Sequence, residues 1–357
     1  MTPHFHALRI GEVRRETADA VSVRFDVPPD LQTAYRFTQG QHVTLRTHMG
    51  GEELRRSYSI CAGADDEELR VAIKRVSGGR FSGWVHEALQ PGDVIDVMTP
   101  DGRFHTPLDP AHRKHYVAFV AGSGITPVLS LIRTTLRREP HSRFTLLYGN
   151  RRQADVLFHE TLEDLKDRYL QRFVLFNLFS RENRDVALFN GRLDGAKVRV
   201  FLDTLLPVDD IDEAFVCGPG AMIDDVDATL AGAGMARERV HLERFGVPPT
   251  VAGVASVAAD TDVAAARISV ILDGVRREID LSPGGGSILD AALRAGLDLP
   301  FSCKGGMCCT CRGKVLEGRV RMDRNYSLEA ADVAAGYVLT CQAHPLTDRV
   351  TVSFDER

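Results

Sequence analysis

Short β-rich runs recur over residues 5–107, at 8–13, 21–27, 42–46, 69–76 and 94–98, alternating with turns that carry formers such as Gln39-Gly40 and Pro91-Gly92-Asp93. Such runs predict strands, and with one helical stretch at 82–89 the set predicts a small antiparallel β-barrel. From about residue 113 the pattern changes. Apolar runs at 116–120, 144–148, 173–179 and 214–217 alternate with helical stretches at 127–138, 157–166 and 222–231, which predicts an α/β doubly wound parallel sheet. Residues 247–266 lack aromatic residues and any amphipathic period, as a linker does. Beyond them, strands at 268–272 and 276–279, a helix at 288–294 and a last strand ending near Phe354 predict an α+β module. The expected organisation is multidomain: 1–107, 108–246, a linker at 247–266, and 267–357.

Composition narrows the partners. The 357 residues are 44% hydrophobic and 26% charged, as in ordinary globular proteins. A net charge of -5 supplies no positive field for a phosphate backbone, so no nucleic-acid partner is expected. Charges interrupt the first sixteen residues too early for a signal peptide, and glycine, serine and proline break the most apolar run, 117–132. A cytoplasmic protein with no membrane contact is the expectation.

Five of the seven cysteines, Cys303, Cys308, Cys309, Cys311 and Cys341, fall in the last 55 residues. Cys303, Cys308 and Cys311 give C-x4-C-x2-C, and Cys341 is a distant fourth, which is the plant-type [2Fe-2S] spacing. Four thiolates suit two irons, and Gly305 and Gly306 let the backbone wrap a cluster and donate N–H groups to its sulfurs. Substituting Cys309 for Cys308 breaks both short spacings, so Cys309 reads as a non-ligand. A four-cysteine zinc site is the alternative, although such sites favour paired C-x2–4-C knuckles.

Two further signatures sit upstream. Arg55-Arg56-Ser57-Tyr58-Ser59-Ile60 follows an expected strand, and Gly78-Gly79-Arg80-Phe81-Ser82 comes one strand later. A flavin needs a cation and N–H donors for its phosphates, an aromatic platform, and a donor near N5. Arg56, the 79–82 turn, Tyr58 and Ser59 can supply these in turn; the same residues also read as a strand edge with a helix N-cap at Ser82. In the second domain the run 116–120 leads into Gly122-Ser123-Gly124-Ile125-Thr126-Pro127, where glycines admit a pyrophosphate to a helix N-terminus. Pro127 stands where the usual dinucleotide fingerprint has its last glycine. Gly149-Asn150-Arg151 and Cys217-Gly218-Pro219 would share the same carboxyl edge of the sheet. After the run 173–179 come Ser180, Arg181 and Arg184, a hydroxyl and guanidinium groups suited to a 2′-phosphate, with Glu182 among them.

As an ordered set, R-x-Y-S, G-G-R-F-S, G-S-G-I-T-P, Y-G-N-R and C-G-P resemble the ferredoxin-NADP reductase superfamily. With residues 53–61, His241-Leu-Glu-Arg-Phe245, Asn325-Tyr-Ser-Leu, 336–341 and the fused plant-type ferredoxin module, the whole chain is similar to the reductase subunits of phenylacetyl-CoA epoxidases. The resemblance implies a β-grasp-like last domain with Cys303, Cys308, Cys311 and Cys341 as cluster ligands. It implies FAD held by Arg56 at the pyrophosphate, with Ser57 beside it, Tyr58 on the isoalloxazine, Ser59 near N5, and Gly79 and Ser82 at phosphates. For NADPH it implies Gly122, Gly124, Thr126, Pro127, Arg151, Ser180, Arg181, Gly218 and Pro219. Thr126 and Cys217 would lie beside the nicotinamide, Phe245 would shield the flavin, and Ser59, Thr126 and Cys217 form the catalytic set. Cys309 departs from the small non-cysteine residue usual in the loop.

The implied activity is an NADPH-dependent oxidoreductase passing electrons from NADPH to FAD to [2Fe-2S] to the diiron oxygenase component of a multicomponent epoxidase. Reduction of a Rieske-type or steroid-hydroxylating oxygenase shares every motif. A non-catalytic redox sensor is the alternative of another class.

Overall fold

The computed structural model describes residues 4–246, 265–281 and 286–356. They fall into two compact units, the larger containing residues 6–54 and 58–245, the smaller centred on the segment from residue 265.

The first sheet of the chain comprises β1 (Phe5–Thr17), β2 (Ala20–Asp26), β3 (His42–Met49), β4 (Glu52–Ser59), β5 (Leu69–Lys74) and β6 (Val94–Met98), in the order β4-β3-β6-β1-β2-β5. An antiparallel bridge from Ile60 to Val71 returns the end of β4 to β5 and closes the barrel. Alternate residues fill it: Leu8, Ile10, Val23, Val43, Leu45, Val71, Ile73 and Val97 have no exposed surface. Each such side chain contributes ~1.5–3 kcal/mol by leaving water. Helix α1 (Arg80–Ala88) adds Phe81 and Val85 to this core.

A parallel sheet follows, from β7 (His115–Ala121), α2 (Ile125–Arg138), β8 (Arg143–Asn150), α3 (His159–Arg168), β9 (Phe173–Phe179), α4 (Gly195–Thr204), β10 (Glu213–Gly218), α5 (Gly220–Gly232) and β11 (Val240–Arg244). Its order is β11-β10-β7-β8-β9, with all pairings parallel. From β7 the chain winds one way through β8 and β9 and the other way through β10 and β11, so a crevice opens at the carboxyl ends of β7 and β10. Two elements go beyond the expected set. α4 buries Val198, Phe201 and Leu202 and is N-capped by Asp194, and β11 is an edge strand whose polar residues mask it in the sequence. Helix α2 fixes the barrel to this sheet: Thr134 Oγ1 accepts from Ala64 N–H at 3.0 Å, Arg133 pairs with Asp66 at 2.8 Å and Arg138 with Asp65 at 2.7 Å.

In the smaller unit, β12 (Ala266–Leu272), β13 (Val275–Leu281), α6 (Ile288–Arg294), β14 (Arg312–Glu317), β15 (Val320–Met322), α7 (Ala330–Ala334), β16 (Tyr337–Leu339), β17 (Ala343–Pro345) and β18 (Arg349–Ser353) follow in order. The main sheet runs β13-β12-β18-β14-β16, with β12 and β18 parallel and the other pairs antiparallel. α6 lays Ile288, Leu289 and Ala292 on it, and Ser287 and Asp290 form its capping box. Of the expected linker, residues 247–264 lie outside the described residues, and Ala266 already opens β12. Among the described residues no helix is long and apolar enough to cross a membrane.

Candidate functional site

The crevice is lined by glycines for a steric reason. Gly122–Gly124 forms one tight turn between β7 and α2, with Gly122 at φ 56°. A Cβ on Gly124 would lie 2.3 Å from the carbonyl oxygen of Cys217, so the β7 turn and the end of β10 can meet only with glycine there. Gly122, Gly124, Thr126, Pro127, Cys217, Gly218 and Pro219 are therefore gathered at one sheet edge. The Thr126 hydroxyl donates to Ser123 O at 3.0 Å, and Tyr148 donates to Gly122 O at 2.9 Å. The ends of β8 and β9 are tied by Ser180 N–H to Asn150 O and Arg181 N–H to Arg151 O, which sets Arg151, Ser180 and Arg181 side by side, exposed. Arg184 is engaged with Gln153 at 2.8 Å and Glu182 at 3.3 Å.

On the edge strand Glu243 pairs in register with Cys217, and Ser59 at the end of β4 donates to its carboxylate at 3.1 Å. Burial pushes the Glu243 carboxyl up to about 8 against the opposing Ser59 hydrogen bond. Burial, with Glu243 beside it, also holds the Cys217 thiol far above its ordinary range. Ser59, Cys217 and Glu243 thus form a junction of uncharged groups that can hold a proton at neutral pH. Phe245, just past β11, is 43% exposed and can lie over a flat ring. In the sequence Glu243 is marked only by its place in the run His241-Leu-Glu-Arg-Phe245.

Arg56, Ser57, Tyr58 and Ser59 lie within β4, not after a strand as the pattern suggests. Tyr58 sits 5.8 Å from the Phe81 ring at a 38° tilt. The N-cap of α1 is Gly79, not Ser82, and no side chain caps it, which leaves first-turn N–H groups for an anion. Ser82 is buried, its hydroxyl accepting from Val76 N–H at 3.1 Å and donating to Gly79 O, so it offers a phosphate its backbone alone. A cavity of about 360 Å³ opens beside this turn, lined by Met49, Val76, Gly79, Gly83 and Trp84. This donor set fits the phosphate of a flavin nucleotide.

In the smaller unit the four thiols pair two and two. Cys303 and Cys308 share a hydrogen bond, as do Cys311 and Cys341. The Cys308 thiol and the N–H groups of Gly305 and Met307, at 3.3 and 3.4 Å, pull Cys303 well below the usual thiol range. Gln342 reaches Cys341 Sγ at 3.7 Å, and Thr340 holds the Cys311 carbonyl at 2.8 Å. Cys309 turns away to Ser327 Oγ at 3.1 Å. Among the described residues no three His, Cys, Asp or Glu side chains converge on a point for one metal ion. Two thiol pairs in a wrapped loop with sulfur-directed N–H groups fit a two-iron cluster.

Three family models match in chain order: an oxidoreductase FAD-binding domain over 7–106, an oxidoreductase NAD-binding domain over 119–228, and a 2Fe-2S iron-sulfur cluster binding domain over 270–346. In 1,2-phenylacetyl-CoA epoxidase from Escherichia coli K12, the subunit designated E is 48% identical over 99% of this chain and 98% of its own. The chain belongs to the family of that epoxidase component. The ferredoxin reductase component of 3-ketosteroid-9-alpha-monooxygenase from Rhodococcus rhodochrous is 33% identical over 97% of this chain and 96% of its own. Phthalate dioxygenase reductase, a solved structure, shares the fold with a TM-score of 0.59 at 23% identity over 98% of both chains. The chain is accordingly an oxidoreductase of the oxygenase-reductase type, built for FAD, a nicotinamide nucleotide and a [2Fe-2S] cluster.

Proposed function

We propose that this chain is the reductase of a multicomponent epoxidase acting on phenylacetyl-CoA, drawing electrons from NADPH and passing them through FAD and [2Fe-2S] to a diiron oxygenase component. The observation that carries this reading is the 48% identity maintained end to end with the Escherichia coli epoxidase component. Bound FAD supplies the conversion of a hydride into two single electrons, which a one-electron cluster requires. The chain's own residues do the rest. Arg56 and the first turn of α1 hold phosphate, Tyr58 packs on the flavin ring, and Ser57 lies between them. Gly122, Gly124, Thr126, Pro127, Arg151, Ser180, Arg181, Gly218 and Pro219 receive the nucleotide, with Thr126 and Cys217 at its nicotinamide. Ser59 would present a hydroxyl to the flavin, held by its hydrogen bond to the Glu243 carboxyl, so that this pair can take up the proton left when the electrons have gone, and Phe245 would cover the ring. Cys303 and Cys308 hold one iron, Cys311 and Cys341 the other.

Reconstitution tests the proposal. With the diiron component, NADPH and phenylacetyl-CoA, the protein should yield epoxide, and the terminal component of a ketosteroid hydroxylase should stay unreduced. The reverse preference would establish the second reading, which the 33% identity with a ketosteroid monooxygenase reductase component supports. Lack of NADPH-driven ferricyanide reduction would leave the redox sensor.

A further inference from the structure

The face of β11 that carries Glu243 also carries His241, two residues earlier. Same-face neighbours on a strand have Cα atoms about 6.7 Å apart, so their side chains lie next to each other on that face. His241 stacks on Phe215 at 4.7 Å, and its Nε2 lies 2.9 Å from the Glu213 carboxylate. Lys114 donates to the other Glu213 oxygen at 2.6 Å. Burial works against the Glu213 charge, but the bonds from His241 and Lys114 prevail and hold that carboxyl below its ordinary value. From the segment before β7, His105 faces His241 with Arg103 beside it, and burial first, then these neighbours, keeps His105 neutral. His241 retains 18% side-chain exposure, so this end of the row reaches water.

Chemistry requires such a row. A hydride carries two electrons and one proton; the cluster accepts only electrons, so oxidising one NADPH to NADP+ leaves one proton to be expelled from the flavin side. We propose that His241, oriented by Glu213, carries protons between Glu243 and solvent. The inference rests on the proposed hydride site at Ser59 and Glu243. The bond to Glu213 assigns the Nε2 proton, so Nδ1 takes the proton leaving the Glu243 carboxyl, and Nε2 releases one to the Glu213 carboxylate and on to water.

Deuterium exchange of the Glu243 carboxyl tests this without turnover. Its infrared C=O band is read in oxidised holoenzyme at a pH about two units below its raised pKa and identified by its loss in Glu243→Gln. On mixing with D2O the wild-type band shifts at once. His241→Gln, which keeps a hydrogen bond to Glu213 but relays no proton, should slow that shift about tenfold or more at equal flavin content. His241→Phe, which keeps the stacking on Phe215, should slow it equally. Unchanged exchange in folded, flavin-loaded His241→Gln overturns the relay. A wild-type spectrum with no band lost in Glu243→Gln overturns the hydride-site reading instead.

Discussion

Cys217 and Cys303 are both thiols with little access to water, yet their surroundings drive them in opposite directions. At the carboxyl edge of the parallel sheet, burial raises Cys217, and its neighbour Glu243 is raised as well, so the groups nearest the crevice remain neutral. In the cluster loop, a thiol hydrogen bond and backbone N–H groups stabilise Cys303 as an anion despite burial. The first site keeps its protons, whereas in the second each thiol pair sets one lowered member, Cys303 or Cys341, against one raised member, Cys308 or Cys311. The difference matches the cargo: a hydride site must handle a proton, whereas an iron–sulfur ligand must be a thiolate that never regains one.

The sharpest way to break this comparison is to remove one side of it. Cys341→Ser should lose iron and inorganic sulfide almost completely while keeping FAD and ferricyanide reduction, and it should fail to reduce cytochrome c. Cys309→Ser should keep its iron, since that thiol faces Ser327. Loss of iron in Cys309→Ser alone would move the ligand register by one residue. On the other side, Arg56→Ala should purify without flavin absorbance yet with its cluster, because a phosphate loses its charge-assisted hydrogen bonds. Full flavin retention there would remove Arg56 from the phosphate site.

Glu243→Gln tests the neutral junction in two ways. Flavin bleaching by NADPH is hydride transfer and should change little, whereas reoxidation of the reduced flavin by ferricyanide, followed by stopped flow, should slow about 100-fold, the usual scale for loss of a proton-transfer group. Stability should respond too. The carboxyl rises from 4.5 to about 8 on folding, so its contribution is fully present below 4.5 and is lost as pH climbs through 8. Glutamine is neutral throughout, and the melting-temperature gap between the two proteins should change across that window and be flat outside it. A constant gap would mean that Glu243 is charged in the native state.

How much of this was legible in the chain depends on whether a site is local or assembled. The C-x4-C-x2-C loop is nine residues long, and its spacing alone indicated the metal chemistry; the two-and-two thiol pairing follows from how the loop wraps. The glycine turn after β7 was visible, but the reason for Gly124, the approach of the Cys217 carbonyl, needs the β7–β10 pairing. Glu243 was least legible. Its partners Ser59 and Cys217 lie far away in sequence, and β11 shows only His241 and Glu243 alternating with Val240 and Leu242 ahead of Arg244. Ser82 misleads differently: a serine in a G-G-R-F-S turn invites a phosphate role or a capping role, yet its hydroxyl faces inward and Gly79 is the cap.

The smallest expected effect concerns which nucleotide the neutral side accepts. Ser180 and Arg181 stand exposed at the end of β9, where the adenosine ribose of a dinucleotide belongs, and Arg151 is set beside them by the Arg181–Arg151 backbone bond. Glu182 would repel a 2′-phosphate, but Arg184 and the Gln153 N–H hold its carboxylate. Arg181, with Arg151 beside it, would then be the side chain to contact a 2′-phosphate, and Arg184 would act by restraining Glu182. A hydrogen bond to a charged group contributes ~1.5–3 kcal/mol, and exposure puts this one at the low end. Arg181→Ala with Arg184→Ala should thus raise KM for NADPH about tenfold and leave KM for NADH nearly unchanged, since only the phosphate contact disappears. Arg184→Ala alone should give part of that rise, and adding Glu182→Gln to it should restore wild-type KM, because the repulsion is then gone. Equal losses with both nucleotides, or a wild-type preference for NADH, would show that this loop does not read the 2′-phosphate.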